Sequence, residues 1–181
     1  MGDRAGDLEL ALRYEAGCSA YDELYGEEQE EKFRLVARLV RPRGRVIDVG
    51  CGTGLLIDYL LRSGLLDAVE LYVCIDVSAC MLELARSRAR ACGSRCSLVQ
   101  ADAYSLPFND FEFDVAYSVS VVNLLERPQE ALKEIGRVAR EAVATAPLKL
   151  GEPQLPRGWR RAGVAGADVV FLKPQDQSVE R

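Results

Sequence analysis

The residues best suited to chemistry form a glycine-rich stretch with acids around it. Gly50, Gly52 and Gly54 alternate with Cys51 and Thr53 in VIDVGCGTG. Glycines admit backbone dihedrals closed to other residues and let a ligand come close to the main chain. The dinucleotide fingerprint G-x-G-x-x-G needs its third glycine at position 55, where Leu55 stands. No G-x-x-x-x-G-K-[ST] pattern occurs, which excludes a P-loop. Asp48 lies two residues before the first glycine. A phosphate gains nothing from a carboxylate there, whereas a ligand carrying an ammonium group does. Asp76 comes 22 residues after Gly54 at the end of an apolar run. That offset suits an acid accepting hydrogen bonds from two ribose hydroxyls.

The elements that must position these residues follow from periodicity. Val46, Ile47 and Val49 read as a strand buried on both faces. Leu55, Leu56, Tyr59 and Leu60 fall at helical spacing, with Gly64 as a stop. A second strand runs from Val69 to Ile75, and Ser78 caps a helix with Met81, Leu82, Leu84 and Ala85 inward, ending at Gly93. Cys96–Val99 is a short third strand, and Phe113, Val115, Ala116 and Tyr117 make a fourth that exits into 118–123. A helix over 129–140 and a fifth strand, EAVATAP, follow. This alternation predicts a doubly wound Rossmann-like α/β sheet, mostly parallel, ordered 3-2-1-4-5, with ligands beyond the strands' carboxyl ends.

The two ends are less regular. Leu8 to Tyr14 suggest a short amphipathic helix. A longer helix runs to about Arg41, before Pro42, with the acidic run Glu27–Glu31 in its first turns and Tyr21 and Tyr25 just ahead. After position 150 about 30 residues remain, rich in Gly and Pro; Trp159 and ADVVFLK at 167–173 predict one final strand and leave a short partner open.

At 181 residues the chain reads as one domain: an N-terminal helical segment (1–41), a ligand-binding core (42–150) and a shortened C-terminal segment (151–181). Early acids argue against a secretory signal, and no run approaches the roughly 20 apolar residues of a membrane span, so a cytoplasmic protein without a membrane partner is expected. Ten acids against Arg4 and Arg13 in residues 1–31 leave the remainder slightly basic, yet no stretch is basic enough to assign an RNA partner. With no histidine and no C-x-x-C, a metal site is not expected and a histidine general base is excluded. Cys51 and Cys74 read as small buried apolar residues. Cys92 and Cys96 flank Gly93 at a turn where they could pair, although cytosolic disulfides are rare outside hyperthermophiles.

VIDVGCGTG resembles motif I of the class I S-adenosylmethionine-dependent methyltransferases, and the resemblance extends over roughly residues 20–150. It is of the UbiE/type 11 kind, and YDELYGEEQ ahead of a helix is similar to small archaeal members. The resemblance implies S-adenosyl-L-methionine as cofactor, bound by Asp48, Gly50, Cys51, Gly52 and Gly54, with Asp76 and Val77 at the ribose. Asp102 would accept from the adenine amino group, Ala103 would offer its N–H, and Ser118 would lie beneath the methionine part. Tyr25 would belong to an N-terminal lid; Tyr21, Ser120 and Asn123 are the substrate-side candidates, and the catalytic residue is unassigned. The implied activity is methyl transfer to an unidentified acceptor, RNA, protein or small molecule, by in-line attack on the sulfonium methyl. The alternatives are a cofactor-binding scaffold, inactive alone or needing a small activator protein, and a nicotinamide oxidoreductase, which Leu55 opposes. Some relatives work with a small activator subunit, and the third strand, at the sheet edge without lysine or proline, is where one would dock.

Overall fold

The computed structural model describes residues 5–18 and 21–175, the side chains of 5 and 24–27 excepted. Its core is one seven-stranded sheet. The strands are β1 (Gly44–Val49), β2 (Val69–Asp76), β3 (Cys96–Gln100), β4 (Phe113–Ser118), β5 (Ala139–Pro147), β6 (Arg160–Ala165) and β7 (Asp168–Lys173). Their order is β3-β2-β1-β4-β5-β7-β6. The first five run parallel, while β7 pairs antiparallel with both β5 and β6. The helices are α1 (Ala5–Gly17), α2 (Tyr21–Leu39), α3 (Leu55–Arg62), α4 (Ala79–Ala91) and α5 (Pro128–Val138).

Period-2 alternation divides each central strand between two apolar layers. Val46 and Tyr72 pack on the face covered by α2, α3 and α4; Ile47 and Val73 pack on the face of α5. Phe33, Val36 and Val40 of α2 and Leu56, Ile57 and Leu60 of α3 seal the first layer. Leu132, Ile135 and Val138 of α5 seal the second, helped by Leu106, Leu155 and Trp159 from irregular segments. Asp48 therefore falls on the α2 side, paired in register with Cys74 and Tyr117.

Four sequence expectations need correction. The C-terminus is not short of strands: β6 and β7 form a full hairpin. The reduction lies in the connections, because β3–β4 has no helix and β5–β6 has only the turn Leu148–Leu150. Helix α2 begins at Tyr21, so Tyr21 and Tyr25 lie within it and Glu27–Glu31 fall mid-helix, with Asp22 and Glu23 in the first turn. Helix α5 stops at Val138 because the chain from Ala139 pairs with β4 instead, burying Ala142–Ala146 in the sheet. Cys51 and Cys74 are not free apolar residues; neighbouring parallel strands bring them together as a disulfide. Cys92–Cys96 and Cys18–Cys80 are also bonded, and no free cysteine occurs among the described residues.

The Cys18–Cys80 bond matters for placement. Helix α1 touches α4, and hydrogen bonds hold its ends, among them Gly6 N to Glu126 Oε1 (3.0 Å), Glu126 N to Asp7 Oδ1 (3.0 Å) and Ser78 Oγ to Glu15 Oε2 (2.5 Å). A cross-link spanning 62 residues typically contributes about 2–4 kcal/mol, mainly by restricting the unfolded chain. Replacing Cys18 and Cys80 by Ser is expected to speed amide exchange across residues 5–17 while leaving β1 and β2 amides unchanged. Unaltered exchange in α1 would show that its hydrogen bonds suffice.

Candidate functional site

A cavity of about 370 Å³ opens at the carboxyl ends of β1, β2 and β4. Its roof is α1, through Leu8, Leu10, Ala11 and Tyr14. Gly50, Gly52, Asp76 and Val77 line one side, Asp102, Ala103 and Tyr104 another, and Val119, Ser120, Val121, Leu124 and Leu125 the end beyond β4. Among the described residues the ionisable carboxylates on the wall are Asp7, Asp76 and Asp102, and no lysine or arginine lines it. A smaller cavity of about 30 Å³ adjoins it across Gly50 and Gly52 and is lined by Gln29, Asp48, Cys51 and Thr53.

The glycine turn is held from both sides. Gly50 and Cys51 donate N–H to Ile75 O at 2.8 and 2.9 Å. Gly50 has φ +77°, and a Cβ there would sit 2.4 Å from Val121 Cγ2, so the close approach of the β4 loop requires glycine. Gly52, at φ +55°, is open, with Tyr21 Cε1 at 4.0 Å as the nearest neighbour. Gly54 caps α3 and packs on Ala85, away from both cavities, and does not take the ligand-contacting place expected of it.

Asp76 accepts from two backbone groups, Gly52 N on Oδ2 and Ser78 N on Oδ1, each at 2.9 Å. Burial raises its pKa, and these two N–H groups oppose the rise. Each oxygen keeps acceptor capacity toward the cavity. Asp102 is exposed at the cavity rim, its Oδ1 accepting from Tyr104 N at 2.9 Å. Asp48 is different in kind. It is 2% exposed and accepts Tyr72 Oη–H at 2.8 Å. Burial pushes its pKa up to about 7, the tyrosine bond working the other way and the Asp76 charge adding to the rise.

Beyond β4 lies a buried polar network. Ser120, at φ +61°, donates Oγ–H to Asp168 Oδ2 at 2.6 Å and accepts from Lys32 Nζ at 3.1 Å. Thr145 Oγ1 donates to the same Asp168 oxygen (2.7 Å) and accepts from Ser120 N (2.8 Å). Lys32 and Asp168 pair at 3.0 Å, with 2% and 1% of their surfaces exposed. Ser120 reaches the cavity wall as expected. Ser118 does not: it is fully buried and its Oγ has no partner. Asn123 does not either, because its Nδ2 donates to Gly151 O and ties the β4 loop to the β5–β6 connection. Cys51 borders only the smaller cavity. Tyr21 lines both cavities; the Tyr25 side chain lies outside the described residues.

Sequence reading missed several wall residues. Asp7 and Tyr104 meet through Tyr104 Oη–H to Asp7 Oδ1 at 3.1 Å, and burial raises the tyrosine's pKa to about 12. Lys32 looked like one more charge in an acidic helix, and Asp168 like the start of a hairpin strand. Their pairing crosses more than a hundred residues, and no local spacing announces it. Asp22 likewise fixes the start of α2, accepting from Thr53 Oγ1 (2.5 Å) and pairing with Arg88 (2.6 Å).

The Asp48 carboxyl gives a pH signature. Its pKa is raised on folding, so its stabilising contribution is full below about pH 4 and is lost as pH rises through about 7. Asp48→Asn keeps the acceptor for Tyr72 without the charge. The variant is expected to gain on the wild type by up to roughly 4 kcal/mol between pH 4 and 8. Thermal melts of both proteins across that range are the measurement; parallel curves would remove the assignment.

The model of the family described as "Methyltransferase domain" matches residues 47–143. The malonyl-[acyl-carrier protein] O-methyltransferase of Halorhodospira halophila is 34% identical over 129 residues, 69% of this chain and 42% of that protein. The chain spans between 42% and 65% of the length of curated relatives such as this one. Among solved structures, the magnesium protoporphyrin IX methyltransferase of Synechocystis with bound SAM superposes with TM-score 0.72 at 16% identity, covering 96% of this chain and 99% of that one. A Haloferax volcanii methyltransferase in complex with the Trm112 activator gives TM-score 0.63 at 21% identity, covering 74% and 59%. The chain belongs to the methyltransferase domain family, class I, whose cofactor is S-adenosylmethionine.

Proposed function

We propose that this chain transfers the methyl group of S-adenosylmethionine to a small, largely apolar acceptor. The observation that carries the reading is the cavity wall: acids where the cofactor's ribose and base would lie, apolar side chains beyond them, and no lysine or arginine among the described residues. The residues fit the cofactor. Asp76 has free acceptor capacity for ribose hydroxyls, Asp102 and Ala103 stand where an adenine edge would reach, and glycine at 52 leaves the space beneath Tyr21 open. Asp48 supplies a carboxylate on the α2 side for the ammonium. When bound, the cofactor supplies a methyl on a sulfonium, displaced in line by an acceptor lone pair with the S–C pair leaving on a neutral thioether.

The protein's part is then orientation and exclusion of water, and orientation alone can supply roughly 7–11 kcal/mol of barrier lowering. Val119, Val121, Leu124 and Leu125 bound the acceptor end, and α1 closes it above. A nucleic acid would need lysine or arginine against its phosphates, which this wall does not offer. Residues 1–41 act as the lid and 42–150 as the cofactor core.

A second reading has its own support. β3 is one edge of the sheet, with Leu98 and Val99 half-buried and no charge or proline within the strand itself, only Arg95 just before it. Arg95 turns inward, its guanidinium donating to Leu66 O at 3.1 Å. The Haloferax structure is a complex with the Trm112 methyltransferase activator, and a small partner adding a strand at β3 would make this chain active only in such a complex.

Labelled methyl from S-adenosylmethionine, offered to cell extract, is expected in the organic-soluble fraction rather than in RNA or protein. Label confined to RNA would reverse the acceptor reading. Asp76→Ala should weaken S-adenosylhomocysteine by about 1–3 kcal/mol, roughly 5- to 150-fold, in a calorimetric titration. Unchanged affinity in that variant would sink the ribose assignment. Ser97→Lys should lower recovery of a co-purifying small protein while leaving the isolated chain's melting temperature nearly constant; activity of the pure monomer with Ser97→Lys silent would exclude the partner.

A further inference from the structure

The smaller cavity holds an acceptor atom without a donor. Gln29, on α2, is 5% exposed. Its Nε2 lies 3.4 Å from Ser120 Oγ. The amide must face that way, because the Ser120 hydroxyl hydrogen goes to Asp168 and its oxygen already faces the Lys32 ammonium; only a donor fits there. The carbonyl Oε1 is thereby turned to the other side, where it is buried with no hydrogen-bond partner. Buried acceptors are rarely left so, since an unmade bond forfeits the group's hydration.

Gln29 lines the cavity of about 30 Å³, room for one group the size of a water or an ammonium. Asp48 lines it too, and among the described residues no lysine or arginine does. Its place along the sheet edge gives the ligand part that would fill it. Asp102 follows β3, Asp76 ends β2 and Asp48 lies in β1. A cofactor with its base near Asp102 and its ribose at Asp76 must carry its amino-acid end on past Gly52 toward β1 and α2.

We propose that Gln29 binds the ammonium group of S-adenosylmethionine, its Oε1 and the Asp48 carboxylate being the two acceptors that flank that group. The assignment rests on the cofactor placement given above. It also ties cofactor binding to the acceptor end of the cavity, because the Gln29 amide is oriented by Ser120 and, through it, by the Lys32–Asp168 pair.

The test compares S-adenosylhomocysteine with 5′-methylthioadenosine, which keeps the nucleoside and thioether and lacks the amino-acid end. Gln29→Met preserves bulk and removes the acceptor. Calorimetry is expected to show S-adenosylhomocysteine weakened about 10-fold or more, with 5′-methylthioadenosine unchanged within about twofold. The free variant should melt close to the wild-type temperature, because the carbonyl lost had no partner and the amide N–H lost made only a long bond of 3.4 Å to Ser120. Wild-type protein supplies an independent check: the S-adenosylhomocysteine analogue with hydroxyl in place of the amino group should bind at least about 10-fold more weakly than the parent. Equal loss of both ligands in Gln29→Met, or no loss for S-adenosylhomocysteine, overturns the Gln29 assignment alone. Failure of the wild type to bind either ligand overturns the cofactor placement and this assignment with it.

Discussion

The carboxylate of Asp76 is the joint on which the site is built. One oxygen takes Gly52 N–H from the turn after β1 and the other takes Ser78 N–H from the start of α4. The same group thus sets the turn's shape, begins the next helix and faces the cavity. Without it two backbone donors would be left in a half-buried place, which is costly. The parallel pairing of β1 with β2 brings these donors within reach, and the Cys51–Cys74 bond and the Ile75 carbonyl hold the turn there.

Around that joint α1 acts as a clamp, while α2 both clamps the turn and packs the core. Helix α1 leaves Leu12 to solvent but shows Leu10, Ala11 and Tyr14 to the cavity. Its ends are fastened to α4 and to the loop after β4, so the roof rests on elements that also form the wall. Helix α2 is packed by Phe33, Val36 and Val40, while its first turn is fixed through Asp22 to Thr53 and Arg88. Tyr21 therefore stands beside Gly52 as a consequence of ion pairing next to the glycine turn.

The buried Lys32–Asp168 pair joins the two halves of the molecule. Charges at 2% and 1% exposure need full compensation, and here Ser120, Thr145 and Glu28 complete the set. Replacing such a pair with apolar residues is often neutral for stability, so its cost is better understood as specificity: it fixes the β7 start, the β4 loop and α2 in one arrangement. Ser120 holds a left-handed backbone for the same reason, its N–H and Oγ both being committed.

The sequence alone determined the sheet and the cofactor end of the site. Apolar alternation, glycine spacing and the acids Asp76 and Asp102 are local signals, because a parallel strand, its turn and its helix are contiguous in the chain. The same locality explains the right strand order and the right edge at β3. Tertiary structure decided everything made by distant partners. It placed α1 over the cavity and turned Asn123 to Gly151 instead of a substrate. It joined Cys18 to Cys80 and Cys51 to Cys74, and it paired Lys32 with Asp168. Each of these depends on which faces meet after folding, and a buried charge or cysteine looks the same in sequence as an exposed one. Gln29 is the sharpest case: a polar residue in an acidic helix becomes an oriented amide only because the Ser120 hydroxyl, its hydrogen given to Asp168, can only accept there.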